Sequence, residues 1–223
     1  MCGRFAIYSR FTKLGYQLDL DLDLPPRYNV APSQSIPIIR SAEAGGYEVV
    51  DAHWGLIPFW AKDRKIGYST INARAETVAE KPAFRAAFKQ RRCLIPASGL
   101  YEWQDTGGAR KQPWFITDAA GDGLAFAGLW ERWTDPATGE LLDSCSIIVG
   151  AANDLVRPIH DRLACILPPE HYRDWLALDA PPPLLHSLLE PCPSEWLRAW
   201  PVSPAVGNVR NAGPDLVAPL SGA

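Results

Sequence analysis

The sequence lacks the residue patterns that hold structural metals or disulfide frameworks. Its five cysteines are odd in number and widely spaced, and no two stand at the CxxC spacing of a zinc knuckle. Its four histidines are also far apart, so HExxH and similar metal patterns are missing. Structural zinc and a disulfide scaffold are therefore not expected. We expect the chemistry to come from ordinary side chains, without a metal or another cofactor.

Long hydrophobic runs are missing as well. No stretch approaches the roughly 18 apolar residues of a membrane helix, and the first residues, MCGRFAIYSR, do not form a secretory signal. The 223 residues, of which 47% are hydrophobic and 21% charged, suit a compact core and exclude disorder or collagen-like structure. We expect one globular domain over residues 1–223, located in the cytoplasm and associated with the nucleoid, with no membrane partner.

Short periodic segments between 21 prolines and 17 glycines indicate the fold class. Strands are predicted to begin near the following positions: Ile36, Tyr47, Arg92, Gly99, Pro113, Gly123, Ser146 and Leu163. Helical patterns are fewer and begin near Lys81, Pro169 and Pro182. Because the strands arrive in runs and do not alternate with helices, the sequence predicts a mixed α+β fold with largely antiparallel sheets and flanking helices.

The chain starts with Met-Cys-Gly, and a small second residue usually permits removal of the initiator methionine. Cys2 would then carry a free α-amine, with a reference pKa of about 7.7 to 8.0, beside a thiol with a reference pKa of about 8.5. Such a 1,2-aminothiol can form an imine with an aldehyde and close it into a five-membered thiazolidine. A chain start without any role is an equally open interpretation of these residues.

The net charge of -3 hides an uneven distribution of charged side chains. Residues 60–92 contain nine basic and three acidic residues, a balance of +6, whereas the rest of the chain carries -9. Such a basic segment is typical of phosphate binding, and the aromatic residues within it offer stacking partners for unpaired bases. The alternative is a solvated basic face over core aromatics, and we assign Phe84 and Phe88 to the core.

Three further side chains are candidates for proton transfer or positioning. Glu102 lies in the apolar segment SGLYEW, where desolvation would suit it to acid-base work, although a place on the solvent face of the strand is favoured from the residues alone. His160 can exchange a proton at neutral pH, although a lone histidine is more often structural. Asn72 can orient an amine or a sugar hydroxyl, and Arg74 is expected on the same side of the strand.

Seven ordered motifs together resemble the SOS response-associated peptidase family, or SRAP domain, over nearly the whole chain. They are MCGRF at Met1, RYNVAPSQ at Arg27, WGLIPFWAKD at Trp54, INARAET at Ile71, SGLYEW at Ser98, IHDR at Ile159 and PVSPAVGNVRN at Pro201. The sequence departs from the family pattern after His160, where Leu163-Ala164 replaces a frequent Met-Pro. The resemblance implies an SRAP-like fold with curved or barrel-like sheets.

The resemblance also implies a function in the response to DNA damage. Cys2, exposed by autoproteolytic removal of Met1, would crosslink covalently to abasic sites in single-stranded DNA, a lyase-like or peptidase-like activity that needs no cofactor. Asn72 would position the amino terminus and the sugar, Glu102 would be the acid-base carboxylate, and His160 would lie near the ring oxygen of the sugar. The implied DNA-binding residues are Arg4, Trp60, Arg74, Arg85, Trp103 and Arg162. The expected partner is abasic single-stranded DNA, with strand junctions included, bound by a monomer.

Other functions are compatible with parts of the pattern. A glutamine amidotransferase with an amino-terminal cysteine also begins Met-Cys-Gly, but such enzymes carry an Asn-Gly dipeptide that this sequence does not contain. A non-catalytic module could bind single-stranded or modified DNA through the basic segment alone. A thiol peptidase could use Cys2 with His160 on other proteins, although the basic segment would then have no explanation.

Overall fold

A computed structural model describes residues 2–220. Within them, strands β1 to β12 span Phe5–Ile7, Arg27–Val30, Ser35–Ser41, Tyr47–Trp54, Asn72–Arg74, Arg92–Ala97, Gly99–Gln104, Gln112–Asp118, Leu124–Thr134, Leu141–Ala151, Arg162–Ala164 and Leu197–Pro201. Helices α1 to α4 span Thr12–Leu18, Arg85–Gln90, Tyr172–Leu176 and Pro182–Ser187. The 3₁₀ helices are Arg64–Ser69, Pro169–His171, Ser194–Trp196, Pro204–Gly207 and Pro214–Val217. No helix in this part of the chain has the length and apolar character needed to cross a membrane.

Five strands close into a barrel in the order β10, β4, β3, β6 and β9, with β9 pairing back to β10. The β10–β4 pair is parallel, and the other pairs of the barrel are antiparallel. Strand β10 has 11 residues and extends beyond its barrel partners. Its last residues pair in parallel with β5 and antiparallel with β11. This extension of β10 brings residues 72–74 and 162–164 to the same end of the barrel.

A second sheet of five strands runs in the order β12, β8, β7, β1 and β2, and all of its pairs are antiparallel. Ser98 joins β6 of the barrel to β7 of this sheet. Its hydroxyl accepts hydrogen bonds from the backbone N–H groups of Tyr8 at 2.6 Å and Ser9 at 2.7 Å, which ties β1 to the connection. The predicted α+β class with largely antiparallel, barrel-like sheets is confirmed. The division of the chain into domains stays a prediction.

The predicted strands are present, whereas the predicted helices are shorter than their patterns. The helix predicted from Lys81 begins only at Arg85, because residues 82–84 form turns, and the helix predicted from Pro169 begins as a separate 3₁₀ turn before α3. Strands β1, β2, β5 and β12 and helix α1 were not predicted. Strands β1 and β5 have three residues each, which is too short to show a periodic pattern.

Candidate active site

Strand β1 holds the amino-terminal residues in the core of the molecule. Phe5 packs edge-on against Trp54, with 5.1 Å between the ring centroids, and against Phe126 at 6.1 Å. Cys2 precedes this strand and is fully buried. Its backbone carbonyl accepts a hydrogen bond from Asn72 Nδ2 at 2.8 Å. The aromatic packing and this hydrogen bond together fix the position of Cys2.

Asn72 and Arg74 lie on β5, which pairs in parallel with Ile147 to Val149 of β10. Both line the same groove, while Ala73 between them is fully buried on the opposite side of the strand, so the predicted shared side is confirmed. The Asn72 amide donates to Cys2 through Nδ2. Its Oδ1 atom is buried and has no hydrogen-bond partner within residues 2–220. An acceptor is therefore available beside Cys2.

Glu102 lies on β7 and is only 2% exposed, so the solvent-face interpretation of this residue is wrong. Burial in the apolar surroundings of β7 raises the pKa of Glu102 to about 7. His160 Nε2 lies 3.8 Å from Glu102 Oε2. The two side chains that were proposed for proton transfer are therefore neighbours, and Glu102 can both donate and accept a proton near neutral pH.

The two ring nitrogens of His160 face different groups. The backbone N–H of Arg162 donates to His160 Nδ1 at 2.9 Å. The Arg162 carbonyl and Asp161 Oδ1 also lie 3.2 Å from Nδ1, so this nitrogen has both a donor and acceptors around it, and Nε2 is the nitrogen that faces Glu102. Burial lowers the pKa of His160 and favours the neutral ring. A proton can therefore move between Nε2 and the Glu102 carboxylate.

The thiol of Cys2 is protonated in this environment. Burial raises the pKa of the Cys2 thiol well above its usual value, and the nearby Glu102 carboxylate raises it further. The thiol therefore needs a nearby base before it can react as a thiolate. Glu102 is the carboxylate whose charge acts on the Cys2 thiol, so it is the candidate for this base.

An open groove of about 1010 Å³ extends over this site. Its lining includes Asn72 and His160 together with the basic side chains of Arg74, Lys81 and Arg162. Aromatic side chains stand exposed along this part of the chain: Phe59 at 59%, Trp60 at 50% and Tyr68 at 72%. Such a combination of positive charge and exposed rings suits a single nucleic acid strand.

The structure brings some of the predicted DNA-binding residues to the groove and places others elsewhere. Trp60, Arg74 and Arg162 line the groove, and Arg162 also forms an ion pair with Glu76. Arg85 is exposed at the start of α2 and directly follows Phe84, which lines the groove. Phe84 and Phe88 are buried, as expected for core residues.

Arg4 and Trp103 form a separate pair that is not part of the groove lining. The Arg4 guanidinium lies 6.0 Å from the centre of the Trp103 ring. Arg4 Nη1 donates to Asn29 Oδ1 at 2.8 Å and to the backbone carbonyl of Val206 at 2.7 Å. These contacts join the amino terminus to the carboxyl-terminal segment.

Two arginines of the basic segment are held by other groups of the protein: Arg92 is buried, and the partly buried Arg91 is paired with a carboxylate. Arg92 is 4% exposed and donates hydrogen bonds to four backbone carbonyls. Arg91 forms an ion pair with the buried Glu131 at 2.8 Å. The exposed basic residues of the segment are Lys62, Arg64, Lys65, Arg74, Lys81, Arg85 and Lys89. Sequence reasoning also missed the exposed Phe59 and Glu76, the ion-pair partner of Arg162. The residues adjacent to them in sequence do not indicate where these side chains lie.

Comparisons with known proteins identify the family to which the sequence is similar. The sequence model of the SOS response associated peptidase (SRAP) family matches residues 1–209. The abasic site processing protein YoqW of Bacillus subtilis is 42% identical, with 97% of this chain and 99% of that protein covered. The abasic site processing protein HMCES of Gallus gallus is 32% identical, with 87% of this chain and 66% of that protein covered.

The fold has counterparts among solved structures. A crystal structure of a protein from Bacteroides thetaiotaomicron matches with a TM-score of 0.86 and 30% identity, and the match covers 98% of this chain and 99% of that one. A protein from Bordetella bronchiseptica matches with a TM-score of 0.77 and 29% identity, over 91% of this chain and all of that one. With the family match over residues 1–209, these likenesses show that the chain belongs to the SRAP family.

Proposed function

We propose that this protein processes abasic sites in single-stranded DNA by forming a covalent thiazolidine crosslink through Cys2. The relatives that carry the name abasic site processing protein support abasic DNA as the partner. The observation that carries the proposal is the convergence of Cys2, Asn72, Glu102 and His160 beside the basic groove. No cofactor is needed for this chemistry.

The reaction requires that Met1 be removed first, because the nitrogen of Cys2 is otherwise an amide and not an amine. We assign this step to the protein itself: hydrolysis of the Met1–Cys2 peptide bond consumes one water and releases methionine. Met1 lies outside the described residues. The buried thiol of Cys2 and the Glu102 carboxyl, with its pKa of about 7, are the groups available to assist the cleavage.

The free amine of Cys2 then reacts with the aldehyde of the opened abasic sugar. Glu102 and His160 transfer the protons that open the ring hemiacetal, since the pKa of Glu102 is about 7, burial keeps the His160 ring neutral, and the two side chains face one another. The amine adds to C1′, and loss of one water gives an imine. Asn72 holds the Cys2 carbonyl and presents its Oδ1 acceptor to the amine or to a sugar hydroxyl.

The thiol of Cys2 completes the crosslink. Its sulfur adds to the imine carbon while its proton passes to the nitrogen, with Glu102 as the relay, and the five-membered thiazolidine results. Overall, protein and DNA combine with loss of one water. This product shields the site, because the aldehyde that would promote strand cleavage by β-elimination is consumed.

The groove would hold the DNA on either side of the reacting sugar. Arg74, Lys81 and Arg162 supply positive charge for the phosphates, and the half-exposed Trp60 ring supplies a surface on which a neighbouring base can stack. The geometry recognises the aldehyde and the single-stranded backbone. Strong dependence on base sequence is not expected.

The proposal is tested by intact mass spectrometry of the purified protein, alone and after incubation with an abasic single-stranded oligonucleotide. We expect a protein that lacks Met1 and an adduct whose mass is the sum of both partners minus one water. Cys2→Ala has no thiol, so it should give a stable adduct at least about a hundredfold less often; its own mass shows whether Met1 is removed, and where it is, the free amine at position 2 should form an imine that only borohydride traps.

An oligonucleotide with a reduced abasic site, which has no aldehyde, serves as the matched control and should give no adduct with either protein. Equal amounts of stable adduct from wild type and Cys2→Ala would refute the thiazolidine. Tight binding of both proteins to abasic DNA with no adduct at all would instead support a non-covalent binding module.

A further inference from the structure

A second cavity lies apart from the groove and shares no lining residue with it. Its volume is about 420 Å³, within the range of small-molecule sites. It is bounded by the turn between β8 and β9, the first turn of α1 and the 3₁₀ helices Pro169–His171 and Ser194–Trp196. Part of its wall is apolar and is formed by Leu124, Ile166 and Leu167, with Trp196 beside them.

The charged groups that line this cavity are predominantly acidic. The carboxylates are Asp118, Asp122, Glu170 and Glu195, and the single cationic group is Lys13. Asp122 accepts the backbone N–H groups of Thr12 at 3.0 Å and Lys13 at 2.9 Å, and Asp118 accepts that of Asp122 at 2.8 Å. These bonds fix the two aspartates, but within residues 2–220 no ion pair neutralises any of the four carboxylates.

Tyr172 provides a second and independent sign of a ligand. The side chain is only 4% exposed and lines the cavity. Within the described residues its hydroxyl has no hydrogen-bond partner, and it is not among the polar atoms sealed from solvent, so it is accessible in a residue that lines the cavity. Burial raises the pKa of Tyr172, and the nearby Asp122 and Asp118 carboxylates raise it further. A neutral hydroxyl surrounded by negative charge is suited to a ligand N–H group.

The spacing of the carboxylates in this cavity favours an organic cation over a metal ion. Within the described part of the chain, no three acidic, histidine or cysteine side chains come close enough together to hold a metal ion. An organic cation does not need converging ligands, because its charge can face several separate carboxylates while its body contacts apolar walls. The apolar residues and the Trp196 ring of this cavity meet the second requirement.

We propose that this cavity binds a small organic cation, namely an amine carried on an apolar or aromatic body. The ammonium group faces Glu170 and Glu195 and donates a hydrogen bond to the Tyr172 hydroxyl. The body lies against Leu124, Ile166 and the Trp196 ring. This site is independent of the reaction with abasic DNA, because none of its residues belongs to the groove or to the group around Cys2.

The test uses 2-phenylethylamine as the probe and 2-phenylethanol as its uncharged counterpart, each titrated into the full chain at neutral pH and followed by calorimetry and by protein NMR. We expect saturable binding of one amine per chain, at least about tenfold tighter than that of the alcohol, because the carboxylates favour the charged group. Equal binding of the two compounds, or no saturable binding of the amine at millimolar concentration, would overturn the proposal.

Variants locate the binding within the molecule. Glu170→Gln combined with Glu195→Gln removes two carboxylates that hold no backbone group and should weaken amine binding about five- to tenfold. Tyr172→Phe keeps the ring and should weaken it about two- to fivefold. The control combines Glu43→Gln with Glu140→Gln, which removes the same charge from exposed positions outside the cavity. Amine binding that falls equally in the control, or in none of the variants, would refute the site.

Discussion

The interior around Arg92 and the groove beside Cys2 differ in how far their buried polar groups are hydrogen-bonded within the protein. Arg92 donates to the backbone carbonyls of Trp175 and Phe88 at 2.7 Å and of Lys89 at 2.9 Å, and also to that of Ala177. Asn72 lines the groove and its Oδ1 is buried without a partner within residues 2–220, and next to His160 of the groove, burial raises the pKa of Glu102 to about 7. The interior uses charge to fix the fold, whereas the groove keeps the Asn72 Oδ1 acceptor available to a ligand.

The largest effect in this comparison is expected from Arg92→Met, measured as the free energy of unfolding in urea. The substitution leaves four backbone carbonyls without their donor, so we expect a loss of about 3–5 kcal/mol. The control is Arg74→Met, which changes the same residue type at an exposed position of the groove and should stay within about 0.5 kcal/mol of wild type. A similar loss of unfolding free energy in the two variants would contradict this difference between the interior and the groove.

Glu102→Gln tests whether the buried Glu102 carboxyl lowers the stability of the folded protein. The pKa of Glu102 is about 7 in the folded protein and about 4.3 when unfolded, so between these values the folded protein binds more protons. Its stability therefore falls as the pH rises from about 4.3 to 7. We expect Glu102→Gln to be more stable than wild type by about 3–4 kcal/mol at pH 8 and similar to it at the lower end of that window.

Unfolding curves of both proteins across this pH window provide the measurement. Glu140→Gln, at an exposed position, is the matched control and should keep the pH dependence of wild type. A pH dependence that is unchanged in Glu102→Gln would show that this carboxyl has an ordinary pKa, and the role of proton donor near neutral pH would then be lost.

The smallest effect concerns the exposed arginine of the groove. Arg74→Ala should weaken binding of undamaged single-stranded DNA about fivefold and reduce the slope of log affinity against log salt by about 0.7, the value for one lost phosphate contact. Fluorescence anisotropy at several salt concentrations measures both quantities. Arg10→Ala, another exposed arginine outside the groove, should change neither. Equal effects of the two substitutions would show that the groove does not bind the strand.

Much of the fold follows from local sequence, because the longer strands show their periodicity directly. Strands β3, β4, β6 to β10 and helix α4 lie where their patterns indicate. The short elements could not be predicted in the same way. Strand β5 has three residues and exists because β10 extends past the barrel and offers it a partner, so its position depends on residues 147–149.

The candidate site, like the fold, follows only in part from local sequence. The amino-terminal Met-Cys-Gly and the motif around Asn72 are visible in the sequence, but the contact between them joins residues 70 positions apart. For Glu102, the rarity of buried glutamates favoured the solvent face, whereas the structure buries it on β7, between β1 and β8. The burial of a side chain depends on what packs over its strand, and that information is not local.

The sequence by itself determined the class of fold, the absence of metal-binding patterns and the presence of a possible aminothiol at Cys2. Only the tertiary structure decided which charges are available to a partner. Among the arginines of the basic segment, Arg92 donates its hydrogen bonds to backbone carbonyls up to 85 positions away, whereas Arg74 lines the groove. Composition counts both alike, because a charge acquires its role from the groups that the fold brings to it.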